Sequence, residues 1–124
     1  MLIKQVLFVF IGGGVGACLR FLLTIILPNS SYTFPWATFI ANMLGCLLIG
    51  LISGWLIKSE LIRSDLSLLL LTGFCGGFTT FSTFSHESYT LFKTNQYTQL
   101  FLYNASSIFF GVLLVGIGYL MSKN

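Results

Sequence analysis

The chain has 124 residues, of which 56% are hydrophobic, 16% aromatic and only 7% charged, and its formal net charge is +3. Soluble domains carry roughly 25% charged residues, so six basic and three acidic residues are too few to cover a core of this size with polar groups. The composition excludes a soluble globular domain and predicts a membrane protein. The basic residues are scattered, which excludes a nucleic-acid-binding patch.

The first apolar segment, residues 2–27, is long enough to cross a membrane, since a spanning helix needs about 20 apolar residues. Pro28 and the polar residues 29–31 predict its end. Lys4, followed by an apolar run and Cys18, resembles a lipoprotein signal peptide. Because the apolar run continues past Arg20, we interpret it as a membrane span instead.

Three further segments have spanning length. They are predicted over residues 36–57, 66–92 and 97–121. The loops between them are too short for a second domain, so residues 1–124 are expected to form one four-helix domain. The predicted fold class is an all-α integral membrane protein, with several passes through the cell membrane.

Positive charges near the span ends are divided between the two sides. With four spans, both termini and the charged loop of residues 58–65 lie on one side, which carries four of the six basic residues. The positive-inside rule therefore leans weakly towards cytoplasmic termini. So small a bias is what a chain that inserts in both orientations would have, although a fixed orientation stays open.

The three cysteines, Cys18, Cys46 and Cys75, are widely separated and each lies in an apolar segment without a CxxC pair. We expect them to act as small hydrophobic residues, not as disulfide partners or metal ligands. Small residues also recur at helical spacing, which predicts tight helix packing. They are Gly12 and Gly16, then Cys46, Gly50 and Gly54, and finally Gly111 and Gly118.

Residues 73–84 read GFCGGFTTFSTF. The segment is rich in glycine, serine and threonine, which are typical of loops, yet it lies inside an apolar span. Each glycine weakens a helix by about 1 kcal/mol relative to alanine, and threonine hydroxyls compete for backbone hydrogen bonds. Together they predict a third helix that is broken at membrane depth, and the ends of a broken helix bind ions. A continuous, kinked helix packed on small residues is the alternative.

Four such helices make a thin bundle that can hardly enclose a pathway, so an oligomer is expected. Two copies related by a two-fold axis in the membrane plane would cross their broken segments at the centre. The backbone carbonyls would then face one shared point, which suits a hard cation such as sodium in a structural role.

The side chains at the break predict an anion pathway. Phe81 and Phe84 enclose two hydroxyl residues, Ser82 and Thr83, and the positive edge of a phenylalanine ring favours an anion without a fixed charge. A lining of donors without acids would not repel a small hydrated anion. Further donors at membrane depth are Asn42, Tyr103 and Ser107. Core packing of the rings and a helix-to-helix hydrogen bond from the asparagine are the competing interpretations.

The sequence GFCGGFTTFSTFSHE, together with GGGVGACLRF and FIANMLGCLLIGLISG, resembles the CrcB/Fluc family of fluoride channels, over essentially the whole chain. The resemblance implies a dual-topology homodimer of antiparallel four-helix subunits. It also implies two fluoride pathways and a central sodium ion at the interface. A pair of homologous subunits with fixed, opposite orientations is the alternative.

By position, the resemblance also implies site residues. The fluoride pathway comprises Asn42, Phe81, Ser82, Thr83, Phe84, Tyr103 and Ser107, and the backbone carbonyls of Gly76 and Thr79 hold the sodium. Some relatives continue the last-helix track with a hydroxyl where this chain has Gly111.

Two charged residues match positions of the family, and each has two interpretations. Arg20 either caps a helix end near the membrane surface or draws anions into a vestibule. Glu87 either belongs to the site or is solvated at the membrane surface. His86 is expected at headgroup level.

The predicted function is passive export of fluoride from the cytoplasm. A small multidrug exporter that exchanges protons for cations would need a membrane-embedded carboxylate, and the first two spans contain none. A non-transporting scaffold subunit would use the packing glycines equally well but leaves residues 73–84 unexplained. Catalysis is not expected, because one histidine and no paired acids within a span offer no nucleophile and base.

Overall fold

The computed structural model describes residues 1–27 and 33–124, and the regular structure of those residues is helical. Four helical segments are long and apolar enough to cross a membrane, which confirms the predicted all-α membrane fold. They are Leu2–Ile26 (α1), Trp36–Lys58 (α2), the divided third span Asp65–Lys93, and Tyr97–Lys123 (α5). The predicted stop at residues 28–31 lies outside the described residues.

The third span has two halves. The first, α3, covers residues 65–78, and the second, α4, is Phe81–Lys93. Within α3 the hydrogen bonding changes from α-helical at Asp65–Ser67 to π-helical at Leu68–Cys75 and back to α-helical at Gly76–Phe78. Thr79 (φ −87°, ψ 158°) and Thr80 (φ −150°, ψ 123°) between the halves are extended, so the third helix is broken as predicted.

Two threonines make this break. The amide and the hydroxyl of Thr79 both donate to the carbonyl of Cys75, at 3.0 and 2.8 Å, which closes the last turn of α3. The Thr80 hydroxyl accepts the amide of Thr83 at 3.2 Å and caps the start of α4. The break is therefore two residues long and is held by side-chain hydrogen bonds at both ends.

The glycines of the motif remain helical, and two of them, Gly73 and Gly77, lie against the backbone of α1. A Cβ on Gly73 would lie 3.0 Å from the Cα of Gly12, and one on Gly16 would lie 2.7 Å from the amide nitrogen of Phe78. A Cβ on Gly77 would overlap the backbone of Gly13. The backbones of α1 and α3 thus touch directly, as small-residue packing in lipid allows.

Helices α2 and α5 form the other tightly packed pair. A Cβ on Gly118 would lie 2.8 Å from the amide nitrogen of Leu51, and one on Gly50 would lie 2.9 Å from that of Tyr119. The predicted packing role of these small residues is confirmed. The bundle therefore consists of two backbone-packed pairs, α1 with α3 and α2 with α5, while α4 lies against α2 and α5.

Candidate functional site

A groove of about 530 Å³ runs along α2, the two halves of the third span and α5. It brings together residues that are far apart in sequence and that the motif analysis had singled out. Those of the predicted site that line the groove are Asn42, Gly76, Thr79, Phe81, Phe84 and Ser107. The break in the third span therefore opens onto a cavity.

Asn42 on α2 holds the break through two hydrogen bonds to one residue. Its Nδ2 donates to the carbonyl of Thr80 at 3.2 Å, and its Oδ1 accepts the Thr80 amide at 2.9 Å. The amide side chain thus satisfies both backbone groups of an extended residue that has no helical partner. An asparagine amide carries two N–H donors, so this pairing leaves one for a ligand in the groove.

The hydrogen bonds at the break also release two backbone carbonyls. In an unbroken helix the Thr80 amide would donate to Gly76, but here it donates to Asn42. The Thr83 amide would donate to Thr79, but here it donates to the Thr80 hydroxyl. The carbonyls of Gly76 and Thr79 have therefore lost their helical donors, and both residues line the groove.

Four aromatic rings follow one another from the groove towards the start of α2. Phe81, 79% exposed, lies 5.9 Å from Phe84 between ring centroids. Phe84 lies 5.0 Å from Tyr103, which is fully buried, and Phe34 meets Tyr103 edge-on at 5.3 Å. Neighbouring rings in this series are tilted or edge-on to one another and not stacked, and ring edges carry partial positive charge.

Glu87 on α4 is half-buried, and two donors hold its carboxylate. The Thr38 hydroxyl donates to Oε1, and the Tyr103 hydroxyl donates to Oε2 at 3.2 Å. The side chain is therefore tied to α2 and α5 and is not simply solvated at the membrane surface. The Tyr103 hydroxyl is engaged by the carboxylate, whereas its ring belongs to the aromatic series.

A smaller cavity of about 90 Å³ lies beside this carboxylate. Arg20, Thr83 and Glu87 share its wall. The Arg20 Nε donates to the carbonyl of Gly77 at 3.3 Å, so the guanidinium caps the C-terminal end of α3. Arg20 thus caps a helix end, as one interpretation of the sequence has it, while its proposed attraction of anions stays a prediction.

The remaining predicted residues differ in their surroundings. The Ser107 Oγ is buried and, within residues 1–27 and 33–124, has no hydrogen-bond partner. Ser82 is exposed, with its hydroxyl 3.2 Å from that of Thr80. His86 is exposed as well. The buried serine hydroxyl is the group at this site that most needs a partner, because an unsatisfied buried polar atom costs about 1–3 kcal/mol.

Three residues that the sequence analysis did not select contribute to the site. Thr38 bonds Glu87, Thr80 bonds Asn42, and Phe34 packs on Tyr103. Thr38 could have been found, since it lies four residues before Asn42 on the same helix face, and Thr80 lies within the quoted motif. Nothing in the sequence singles out Phe34.

Comparisons with known proteins agree along nearly the whole chain. The sequence profile of the family described as CrcB-like protein, Camphor Resistance (CrcB), matches residues 7–119. A protein of Phocaeicola vulgatus named "Fluoride-specific ion channel FluC" is 47% identical over 122 residues, covering 97% of this chain and 99% of the relative.

Two more relatives carry the same name. That of Flavobacterium psychrophilum is 42% identical, covering 97% of this chain and 98% of the relative. That of Chlorobaculum tepidum is 42% identical, covering 99% and 98%. Four helices in the described part of the chain are long and apolar enough to span a membrane, so the protein is a multi-pass membrane protein of the cell membrane, and it belongs to the CrcB family.

Proposed function

We propose that this protein is a fluoride-selective channel that lets the ion leave the cytoplasm passively through the cell's inner membrane. Full-length relatives named fluoride-specific ion channels support this function. One observation carries it: the broken helix faces a groove that Phe81, Phe84 and Ser107 all line. The Ser107 hydroxyl is buried, and none of the described lining residues is acidic.

The groove suits a small anion because it offers donors and ring edges without a fixed negative charge. A fluoride ion must exchange its tightly held water for other donors in order to enter a membrane. The free N–H of Asn42 and the Ser107 hydroxyl supply donors, and Phe81 and Phe84 supply positive ring edges. Together they replace part of the hydration shell.

The proposed pathway continues from the groove to the smaller cavity. The Phe84 ring lies at the groove, and Thr83 beside it lines the smaller cavity, so fluoride passes along the break from one to the other. Arg20 at that second cavity attracts the anion. The hydroxyl of Ser82 contributes at the exposed side of the break, and Tyr103 shapes the path through its ring.

The groove is open on one side in a single chain, and we propose that a second subunit closes it. Phe81 is 79% exposed although it belongs to the proposed pathway. An antiparallel copy of the same chain would cover that ring and double the pathway about a two-fold axis. The weak charge bias between the two sides suits a chain that inserts both ways. A paired homologous subunit of fixed orientation would serve the same purpose.

A sodium ion at the centre of this dimer fits the released carbonyls. Those of Gly76 and Thr79 have lost their helical donors and lie at the groove that the partner would cover. Carbonyl oxygens are the ligands that hard cations prefer. The bound cation would offset the partial negative charge of these helix ends.

Transport in this scheme needs no energy source besides the membrane potential. Undissociated hydrogen fluoride crosses lipid from an acidic medium and ionises in the cytoplasm. The potential, negative inside, then drives the anion outward through the channel, at about 2.3 kcal/mol per charge for each 100 mV.

The test is efflux from liposomes that contain the purified protein, loaded with potassium fluoride or potassium chloride and started with valinomycin. We expect rapid fluoride efflux and little chloride efflux. Equal rates for the two ions, or no efflux, would contradict the proposal. Efflux of a cationic drug driven by a proton gradient would favour the exporter, for which the hydrogen-bonded Glu87 would have to supply the carboxylate.

A further inference from the structure

Four hydroxyl side chains line the groove, namely those of Thr72, Thr79, Thr80 and Ser107. Thr79 and Thr80 are engaged in the hydrogen bonds of the break, and Ser107 belongs to the proposed pathway. Thr72 has neither role. It lies on α3 and is exposed in the single chain, although its position is well inside the third span, Asp65–Lys93.

The Thr72 hydroxyl lacks the backbone partner that a threonine in a helix commonly has. Such a hydroxyl usually donates to the carbonyl four residues before it, as those of Thr90 and Thr94 do. Thr72 lies in the π-helical segment Leu68–Cys75, and within the described part of the chain its hydroxyl makes no hydrogen bond. Because lipid offers no water to satisfy it, this hydroxyl needs a partner at the groove.

Thr72 lies in the half of the groove that faces the chain termini. Helices α2 and α5 end on that side, where the Lys58 Nζ donates to the carbonyl of Asn124 at 3.2 Å. Helix α3 begins there after a short loop. Ile49 in the later part of α2 and Val115 in the later part of α5 line the groove together with Thr72. These three residues define the termini-side half of the groove.

The walls that α2 and α5 contribute become apolar in the termini-side half. On α2 the groove is lined first by Asn42 and later by Ile49, and on α5 it is lined first by Ser107 and later by Val115. Among the described residues of this half, Thr72 is therefore the one whose side chain carries a hydroxyl or an amide. An ion in this half would find its hydrogen-bond donor on α3.

We propose that Thr72 is a further residue of the fluoride pathway, whose hydroxyl donates to the ion in the termini-side half of the groove. This role rests on the proposed function. At its other end the proposed pathway leads to the smaller cavity, beside Arg20 and Thr83. An ion that crosses the whole membrane must therefore also leave the groove towards the termini, where the Thr72 hydroxyl replaces part of its water.

The test is fluoride efflux from liposomes that contain Thr72→Val, which preserves the side-chain shape and removes the hydroxyl. We expect efflux to fall by about tenfold or more, as for loss of a hydrogen bond to a charged group, while gel filtration shows normal assembly. Thr72→Ser restores a hydroxyl and should recover most of the efflux. Unchanged efflux through Thr72→Val would overturn the proposal.

The dependence of efflux on fluoride concentration distinguishes contact with the ion from a structural role. Loss of a donor to the ion should shift the half-saturating fluoride concentration, whereas a smaller number of folded channels lowers only the maximal rate. A fall in efflux that merely follows a loss of assembled protein would show that Thr72 holds subunits together, and the proposed contact with fluoride would be wrong.

Thr98 supplies the matched control. It is also exposed and lies on α5, but it does not line the groove. Thr98→Val should conduct fluoride like the unmodified protein. An equal fall in Thr98→Val and Thr72→Val would mean that removal of any exposed hydroxyl impairs the protein, and the specific role of Thr72 would be lost.

Efflux from the unmodified protein separates this proposal from the proposed function. If the unmodified protein conducts fluoride and Thr72→Val conducts equally well, the channel stands and only the role of Thr72 is contradicted. If the unmodified protein releases no fluoride, the channel is contradicted, and so is the role of Thr72 that rests on it.

Discussion

The two halves of the third span are held in different ways. The first half, α3, packs backbone to backbone against α1 through glycines, so that a Cβ on Gly73 would lie 2.9 Å from the carbonyl of Val9. The second half, α4, is held by the hydrogen bonds that Glu87 accepts from Thr38 of α2 and Tyr103 of α5. Close backbone packing therefore holds α3, and side-chain hydrogen bonds hold α4.

This difference assigns a structural role to α3, whereas α4 and the break supply residues of the candidate site. Close glycine packing leaves α3 little freedom to move towards α1, because the two backbones already touch. The polar contacts of α4 tie a half-buried carboxylate to hydroxyl groups of α2 and α5. The freed backbone carbonyls are those of Gly76 and Thr79, and both residues line the groove.

The largest effect is expected from a side chain placed in the glycine contact. Gly77→Val would drive a branched side chain into the backbone of Gly13, at a cost above the about 1–3 kcal/mol of ordinary overpacking. We expect loss of folded protein in fluorescence-detected gel filtration. Gly14→Val is the matched control, because a Cβ there would meet nothing within 4 Å. Equal yields of the two variants would contradict the backbone contact.

The next largest effect is expected at the residue that holds the break. In Asn42→Asp the side chain can still accept the Thr80 amide but can no longer donate to its carbonyl, and it adds negative charge to the proposed path. We expect fluoride efflux to fall by about tenfold or more, which corresponds to about 1.4 kcal/mol.

The control for that variant makes the same chemical change away from the groove. Asn104 bonds Ser88 and the carbonyl of Leu100, so Asn104→Asp should conduct much better than Asn42→Asp. A similar fall in both variants would mean that any added charge in the bundle impairs the protein, and the role of Asn42 would be lost.

A smaller effect is expected from loss of one of the hydrogen bonds that hold α4. Thr38→Val preserves the side-chain shape and removes the donor to Glu87. Loss of one hydrogen bond to a charged group is worth about 1.5–3 kcal/mol, part of which water in the adjacent cavity would restore. We expect fluoride efflux to fall several-fold. Thr90→Val, which loses only a bond to its own helix at His86, should conduct normally, and an equal loss in both would refute the specific role.

The smallest effect is expected at the membrane surface. Lys4 and Asp65 form an ion pair at 2.7 Å that joins the start of α1 to the start of α3, with side chains 65% and 33% exposed. Exposed pairs contribute about 0–1 kcal/mol. Lys4→Ala should lower thermal stability slightly, less so at high salt, and should leave efflux unchanged. A large loss of stability would show that this end of α3 depends on charge as well as packing.

The sequence predicted the spans and the existence of the break well. Apolar length sets the ends of a membrane helix, and the ends predicted from it lie within two residues of those observed. Threonine and glycine residues within an apolar segment predict backbone that departs from the helix. Both are local properties, which is why the sequence suffices for them.

The position of the break and the partners of its residues could not be predicted in this way. The glycines of residues 73–77 carry the same helix-weakening signal whether they break a helix or pack against one, and only the approach of α1 decides. The residue types of Leu68–Cys75 do not distinguish π-helical from α-helical hydrogen bonding, so the sequence does not predict the π-helical segment. The pairing of Asn42 with Thr80 spans 38 positions and depends on how α2 docks.

The central claim is that the phenylalanine pair at the break forms part of the ion path. The most direct measurement is fluoride efflux from liposomes for Phe81→Ile beside Phe101→Ile, since both rings are largely exposed in the single chain, at 79% and 71%, and only Phe81 lines the groove. We expect Phe81→Ile to assemble normally and to lose efflux, while Phe101→Ile conducts. Normal efflux through Phe81→Ile would contradict it.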